Sequence, residues 1–257
     1  VRRYHASQKD DNGTLLNPAN AGRLHTVDRP DGRRTTYEYE YGTYDPTTRT
    51  FTAGGQKAGT DMRKTVTEGL VDAPRGVAGK TTRRVTITLA SGQQPLTETY
   101  VCNGQSFERI DWTATEYDSY GRVVATHYAD GTSAHTTWGC CGKEREVMRD
   151  GTRYDYLYDE LKRLTAKIKH VDGGDNDVIY SYSYDAAGRL LAETTSAGGL
   201  VLKSTNEYDL AGRLLKMTDP AGLVTHYRYA ADGSESTVIY PGGVTQVSTT
   251  YLDGSSK

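Results

Sequence analysis

Residues 181–199 read SYSYDAAGRLLAETTSAGG, and residues 206–222 read NEYDLAGRLLKMTDPAG. The same words return from Tyr184 to Tyr208, a step of 24 residues: Tyr-Asp, two free positions, then Gly-Arg-Leu-Leu. Self-similarity at a fixed period marks a repeat architecture, so the period comes before any single motif. With the glycine as marker, YDSYGRVV places Gly121, YDAAGRLL Gly188 and YDLAGRLL Gly212. Weaker copies fill the gaps. WGCCGKE puts Trp138 for Tyr, Gly139 for Asp and Gly142 at the marker, YDELKRLT puts Lys162 there, and YAADGSES puts Gly233 there. The intervals are then 21, 20, 26, 24 and 21 residues, too even for chance.

A second glycine turn, at Gly131, Gly151, Gly173, Gly198, Gly222 and Gly242, follows each marker after 9 to 11 residues. Each unit therefore reads as strand, turn, strand, turn. The marker glycine supplies a left-handed turn residue, and the Asp of the YD pair (Asp118, Asp159, Asp185, Asp209) caps its own turn. Hairpins with strands of roughly seven residues would add side by side in an antiparallel sheet. The pattern extends upstream, with Gly22 and Gly32 ten residues apart and YDPTTRTFT from Tyr44 carrying Thr48 at the marker. It blurs between about 52 and 116, where TTRRVTITLASGQQPLTETYVCNGQSFERIDW still reads as strands punctuated by Ser91-Gly92 and Asn103-Gly104. This divides the array into YD-like repeats over 1–51, degenerate hairpins over 52–116 and regular repeats over 117–257, with no firm boundary.

Alternation places the tyrosines. Side chains at i and i+2 share a strand face, so Tyr37, Tyr39 and Tyr41 form one ladder, Tyr154, Tyr156 and Tyr158 a second, Tyr180, Tyr182 and Tyr184 a third, and Tyr227 and Tyr229 a fourth. Glu38, Glu40, Asp155, Ser181, Ser183, His226 and Arg228 take the other, more solvated face. Twenty Tyr against two Phe and two Trp favour a thin, Tyr-rich all-β core over a thick aliphatic one.

Charge and hydropathy bound the partners. A formal charge of −2 gives no basic stripe for nucleic acid, and no apolar run approaches the roughly 20 residues of a membrane helix. A mean hydropathy of −0.69 leaves intrinsic disorder open, but the regular repeat favours a folded array. The first residue is Val and the last residues, TTYLDGSSK, fall within the repeat pattern, so the sequence is expected to be a piece of a longer polypeptide.

The stretch YDAAGRLLAETTSAGGLVLKSTNEYDLAGRLLKMTDPAGLVTHYRY resembles the YD repeats of the rearrangement-hotspot (RHS) family, whose relatives include Tc toxin shells and teneurins. The resemblance covers about 117–251 and extends to 20–50. It implies an arc of a β-sheet spiralling into a hollow shell, partnered by flanking repeats and by an enclosed C-terminal toxin or effector of the same polypeptide. It further implies a bacterial secreted or cell-surface protein whose export signals lie outside this sequence. The motif's structural residues are then Tyr117, Asp118, Gly121, Arg122, Tyr158, Asp159, Tyr184, Asp185, Gly188, Arg189, Tyr208, Asp209, Gly212 and Arg213. Many family members self-cleave through acidic residues in a core element after the last repeat. Here TDPAG (218–222) is an ordinary repeat turn and no such element follows, so no protease residues carry over. About ten hairpin units are also too few to close a cavity around a protein.

Three features compete with a purely structural role. Tyr154, Tyr156, Tyr180, Tyr182 and Tyr227 could present a ligand-facing surface for a glycan or receptor, as in an adhesion or carbohydrate-binding module, or could simply pack or line the sheet. Cys140 and Cys141 occupy the two free positions of a YD-type turn, where they could be plain turn residues, form a disulfide with each other or with Cys102, or hold a soft metal. Asp172, Asp175 and Asp177 in HVDGGDND lack the EF-hand order and read as a solvated hairpin tip. There is no G-x-S-x-G, no H-E-x-x-H and no phosphate loop, and His5, His25, His127, His135, His170 and His226 are dispersed. The expectation is a wall segment without catalysis, metal or cofactor.

Overall fold

The computed structural model describes residues 1–4, 23–54, 60–71, 76–171 and 176–249. All regular structure in them is β-strand, paired antiparallel, in two compact units, Val1–Thr136 and Thr137–Lys257. The division falls inside the stretch that repeat spacing treats as one array.

The first unit contains β1 (Arg2–Tyr4), β2 (Leu24–Asp28), β3 (Arg33–Asp45), β4 (Thr50–Ala53), β5 (Asp61–Leu70), β6 (Thr82–Thr88), β7 (Leu96–Cys102), β8 (Phe107–Tyr117) and β9 (Val123–Tyr128), with β10 (Ser133–Trp138) crossing the division. β3 pairs along 33–42 with β5, and with β2 and β4 through 34–36 and 42–45. From β5 to β10 each strand pairs with the next.

Register decides where the apolar cluster lies. Arg63 stands opposite Ile87, Ile87 opposite Leu96, and Leu96 opposite Ala114, so these share one face with Glu40, the partner of Arg63. Tyr44, Ile87, Leu96 and Ala114 form the buried cluster, with Phe51, Leu89 and Trp112 packed against it. This is the face opposite Tyr37, Tyr39 and Tyr41, of which Tyr41 is itself buried, so both faces of β3 bury a tyrosine. Glu38 and Glu40 are exposed as expected, but further along the same face the chain supplies Ile, Leu and Ala. Guanidinium groups roof the cluster: Arg49 lies 5.1 Å over the Trp112 ring and Arg63 5.0 Å over Phe51.

The second unit is a meander of β11 (Lys143–Val147), β12 (Arg153–Tyr158), β13 (Leu164–Lys169), β14 (Val178–Tyr184), β15 (Leu190–Ala197), β16 (Leu200–Tyr208), β17 (Leu214–Thr218), β18 (Val224–Tyr229), β19 (Glu235–Ile239) and β20 (Thr245–Thr249). Each strand pairs with its successor. Among the described residues of this unit only Thr225 is buried. It is thus a single-layer sheet with no apolar core of its own, and its order rests on backbone ladders, cross-strand pairs and turns.

Candidate functional site

The recurring element is the YD turn. In the unit that opens at Tyr184, Gly188 N–H donates to Asp185 O (3.1 Å) and Asp185 N–H to Arg189 O (3.0 Å), a type I-like turn closed by a left-handed residue, Gly188 at φ 87°. Asp185 Oδ1 accepts the N–H of Ala187 and of Arg189, each at 2.9 Å, and Oδ2 accepts Arg189 Nε at 2.6 Å. Asp118–Arg122, Asp159–Arg163 and Asp209–Arg213 repeat the carboxylate–arginine pairing. Asp and Arg are needed together because one carboxylate satisfies both the turn's free N–H groups and the guanidinium.

A bulge follows each of these turns, opposite the Tyr that precedes it. The ladder skips one residue opposite Tyr117, Tyr158, Tyr184 and Tyr208, where Glu116 faces Ala125 but Tyr117 faces Val123, and likewise in the other three. The skipped residues are Val124, Thr165, Leu191 and Leu215, so the second Leu of Gly-Arg-Leu-Leu is the bulge.

The disrupted ladder is used by the following repeat. The Tyr184 hydroxyl donates to Leu164 O (2.9 Å), Tyr208 to Leu190 O (3.0 Å) and Tyr158 to Lys143 O (3.0 Å). In the same direction Arg163 lies 4.9 Å over the Tyr184 ring and donates Nη1 to Asp185 O at 2.9 Å, while Arg189 lies 5.0 Å over Tyr208 and donates to Asp209 O at 3.0 Å. The turn at Tyr158 is therefore clasped to that at Tyr184, and that in turn to the one at Tyr208, by a hydroxyl, a guanidinium hydrogen bond and a cation–π contact. Arg213 lies likewise 4.8 Å over Tyr229, whereas Arg122 lies over Tyr120 of its own turn. The preference for Tyr over Phe follows, because the hydroxyl is one of the three links.

Departures from the motif mark weak points. Lys162 occupies the marker position with φ 62°, a conformation costly for any residue with a Cβ. Lys162→Gly is expected to stabilise the second unit by about 1 kcal/mol, read as a higher urea midpoint. In the turn after Tyr44 the left-handed residue is Arg49 (φ 56°), one beyond Thr48, because the β3–β4 loop holds four residues between Asp45 and Thr50. At PGG the N–H bonded back to Tyr240 O belongs to Gly243, one beyond Gly242.

Electrostatics give the turns a pH dependence. Backbone donation from Arg163, Arg189 and Arg213, aided by their side chains, holds Asp159, Asp185 and Asp209 below the ordinary carboxylate range. At Asp118 desolvation pulls upward and is outweighed by donation from Arg122 and Tyr120. A carboxyl lowered by folding stabilises the fold fully above its unfolded pKa and loses that stabilisation as pH falls through the lowered folded value. The urea midpoint should stay level on acidification to about pH 4 and fall below it. A midpoint that rises there would contradict the assignment.

The expected ligand-facing tyrosines, Tyr154, Tyr156, Tyr180, Tyr182 and Tyr227, are all half-buried. Tyr156 donates its hydroxyl to Glu146 Oε2 (2.8 Å), and burial with that bond pushes its pKa up. Lys167 sits over two of these rings, 4.3 Å from the Tyr154 centroid and 5.6 Å from that of Tyr156. Behind this face Asp155 takes Arg145 Nε (2.6 Å) and His170 Nε2 (2.9 Å), and His170 Nδ1 meets Asp177 Oδ2 at 2.8 Å. Asp172 and Asp175 lie outside the described residues.

All three cysteines are free thiols. Cys102 is 1 % exposed at the end of β7, and its Sγ accepts the Gly104 N–H (3.3 Å). The thiol packs against Gly76, where even a methyl would come within 3.0 Å of the sulfur. Among the described residues no group of three or more His, Cys, Asp or Glu side chains is placed to hold a metal ion. No helix among them is long and apolar enough to cross a membrane.

The RHS Repeat family model matches residues 208–245, which span β17, β18 and β19 and the turns between them. Comparison with the curated proteins finds no match. Among solved structures, the crystal structure of TcdB2-TccC3-Cdc42 aligns over 91% of this chain and 15% of its own, at 11% identity and a TM-score of 0.32. The structure of TcdB2-TccC3 without its hypervariable C-terminal region aligns over 99% and 17%, at 12% identity and a TM-score of 0.32. A porin-like protein from Bacteroides uniformis aligns over 86% and 95%, at 10% identity and a TM-score of 0.34. The chain thus spans about 15% of the first of these proteins. Likeness at this level says nothing about what the chain does.

Proposed function

We propose that this chain, whose residues 208–245 match the RHS Repeat model, is a structural segment of YD repeats that serves as wall: part of a β-shell that encloses a C-terminal toxin or effector segment of the same polypeptide. The observation that carries this reading is the clasp. The Arg and Tyr side chains that link the turns at Tyr158, Tyr184 and Tyr208, and the Asp185 carboxylate between them, are engaged with their own turn or a neighbouring one, which makes a sheet that extends by repetition. The one-layer second unit supports it, since a sheet without a core of its own is at home where neighbouring repeats or an enclosed segment cover it.

The other reading is an extracellular adhesion or carbohydrate-binding module that uses the tyrosine face. Lys167 already occupies the rings of Tyr154 and Tyr156, where a sugar would stack, so the face is less open than the bare ladder suggests. An antibody raised against this chain, used on its source with mass spectrometry of the detected band, separates the two. A product far above 28.2 kDa, with peptides from a distinct non-repeat segment, supports the wall. A product of 28.2 kDa that binds glycans, and stops binding after Tyr156→Ala and Tyr182→Ala, overturns it.

A further inference from the structure

The turn 139–142 is the one marker position at which the sequence offers two thiols in place of the repeat chemistry. Gly139 stands where the capping Asp belongs and Lys143 where the Arg belongs, so neither the carboxylate cap nor the Arg clasp is formed here. What closes the turn is the Gly139 N–H donated to Gly142 O at 2.8 Å, which leaves Cys140 and Cys141 as its two central residues. Cys140 is exposed and Cys141 half-buried, while Cys102 is enclosed.

We propose that Cys140 and Cys141 form a two-thiol modification site, oxidised by low-molecular-weight disulfides to a vicinal disulfide that small thiols readily reopen. The inference stands apart from the wall reading and needs no partner protein. In the first step the exposed Cys140, as thiolate, attacks one sulfur of a disulfide RSSR. That S–S bond breaks and one RS⁻ leaves, giving a mixed disulfide on Cys140. Cys141 then loses its proton to solvent and attacks the Cys140 sulfur, expelling the second RS⁻. Two protein thiols are oxidised by two electrons, and one RSSR is reduced to two RSH.

The order of attack follows from exposure. Hydrogen bonding with Cys140, then burial, push the Cys141 thiol up, which suits it to the second, intramolecular step, where proximity replaces nucleophilicity. The ease of reopening follows from geometry. Adjacent Cα atoms across a trans peptide are about 3.8 Å apart, short of the roughly 4.4–6.8 Å that ordinary disulfides span. Strained, exposed disulfides are the reducible ones. Two glycines bracket the pair, and their backbone can take up the adjustment. A Cβ at Gly139 would have to displace the Glu144 carboxylate, and one at Gly142 would lie 2.5 Å from the Tyr158 hydroxyl.

The test uses the whole chain, incubated with glutathione disulfide, acid-quenched, unfolded and labelled with a maleimide. Three labels are expected before oxidation and one after it, with the peptide holding 140–141 lighter by two hydrogens and the label restored by reduced glutathione. Cys141→Ser should stop at a stable glutathione adduct on Cys140. Three labels after oxidation, a glutathione adduct that persists in the native chain, or a disulfide-linked dimer would each overturn the proposal. The glycine-bracketed turn keeps its backbone in Cys141→Ser, and unchanged circular dichroism of that variant separates lost chemistry from lost fold.

Discussion

Ile87→Ala is expected to cost the first unit about 3 kcal/mol, because a fully enclosed aliphatic side chain leaves a cavity that its neighbours fill only in part. Ile87 is 1 % exposed between Leu96 and Arg63 and belongs to one cluster with Tyr44 and Ala114, so truncation removes contacts on several sides at once. The matching change in the second unit, Ile168→Ala, should cost only about 1 kcal/mol, since Ile168 lies on a half-open face. Native-state hydrogen exchange resolves the two without assuming one cooperative transition. Protection should fall across β6–β8 in the first variant and hardly change across β13 in the second. Equal losses would mean that the second unit has a core of its own.

Arg189→Ala is expected to cost about 2 kcal/mol, from an ion pair, a charged hydrogen bond and a cation–π contact, each discounted for partial exposure. The side chain bridges two repeats, pairing with Asp185 at 2.6 Å, donating to Asp209 O at 3.0 Å and covering Tyr208 at 5.0 Å. Lysine should not rescue it, because only the guanidinium fork reaches carboxylate and carbonyl together while lying flat on a ring. The loss should be local in exchange data, lowering protection in β15–β17 and sparing β19–β20. If only β15 responds, the clasp does not couple one repeat to the next.

These two changes sample what the sequence did and did not make legible. The turns were readable because their signals are local: an Asp that caps a loop and a Gly that takes positive φ act within five residues, and Asp185 and Gly188 do so. The clasp was not readable, because Arg189 acts on Tyr208 and Asp209, about a repeat away, and no spacing rule says which way a guanidinium turns. Ile87, Leu96 and Ala114 come from the stretch where the repeat blurs, and no Tyr ladder marks them. Their common face follows only from the pairing of β6, β7 and β8, a long-range fact. Arg49 shows the limit of the marker itself: one added loop residue moves the left-handed position by one without disturbing the composition.

The enclosing wall is tested most directly by limited proteolysis of the native polypeptide that carries this chain. Its non-repeat segment is followed by mass spectrometry, and the same segment made alone serves as the reference. The expected result is that the segment resists cleavage while the repeats are folded, and is cut at the reference rate once acid or urea has opened the YD turns. Cleavage at the reference rate from the start, with the repeats still folded by circular dichroism, would contradict enclosure and leave these repeats as a surface rather than a wall.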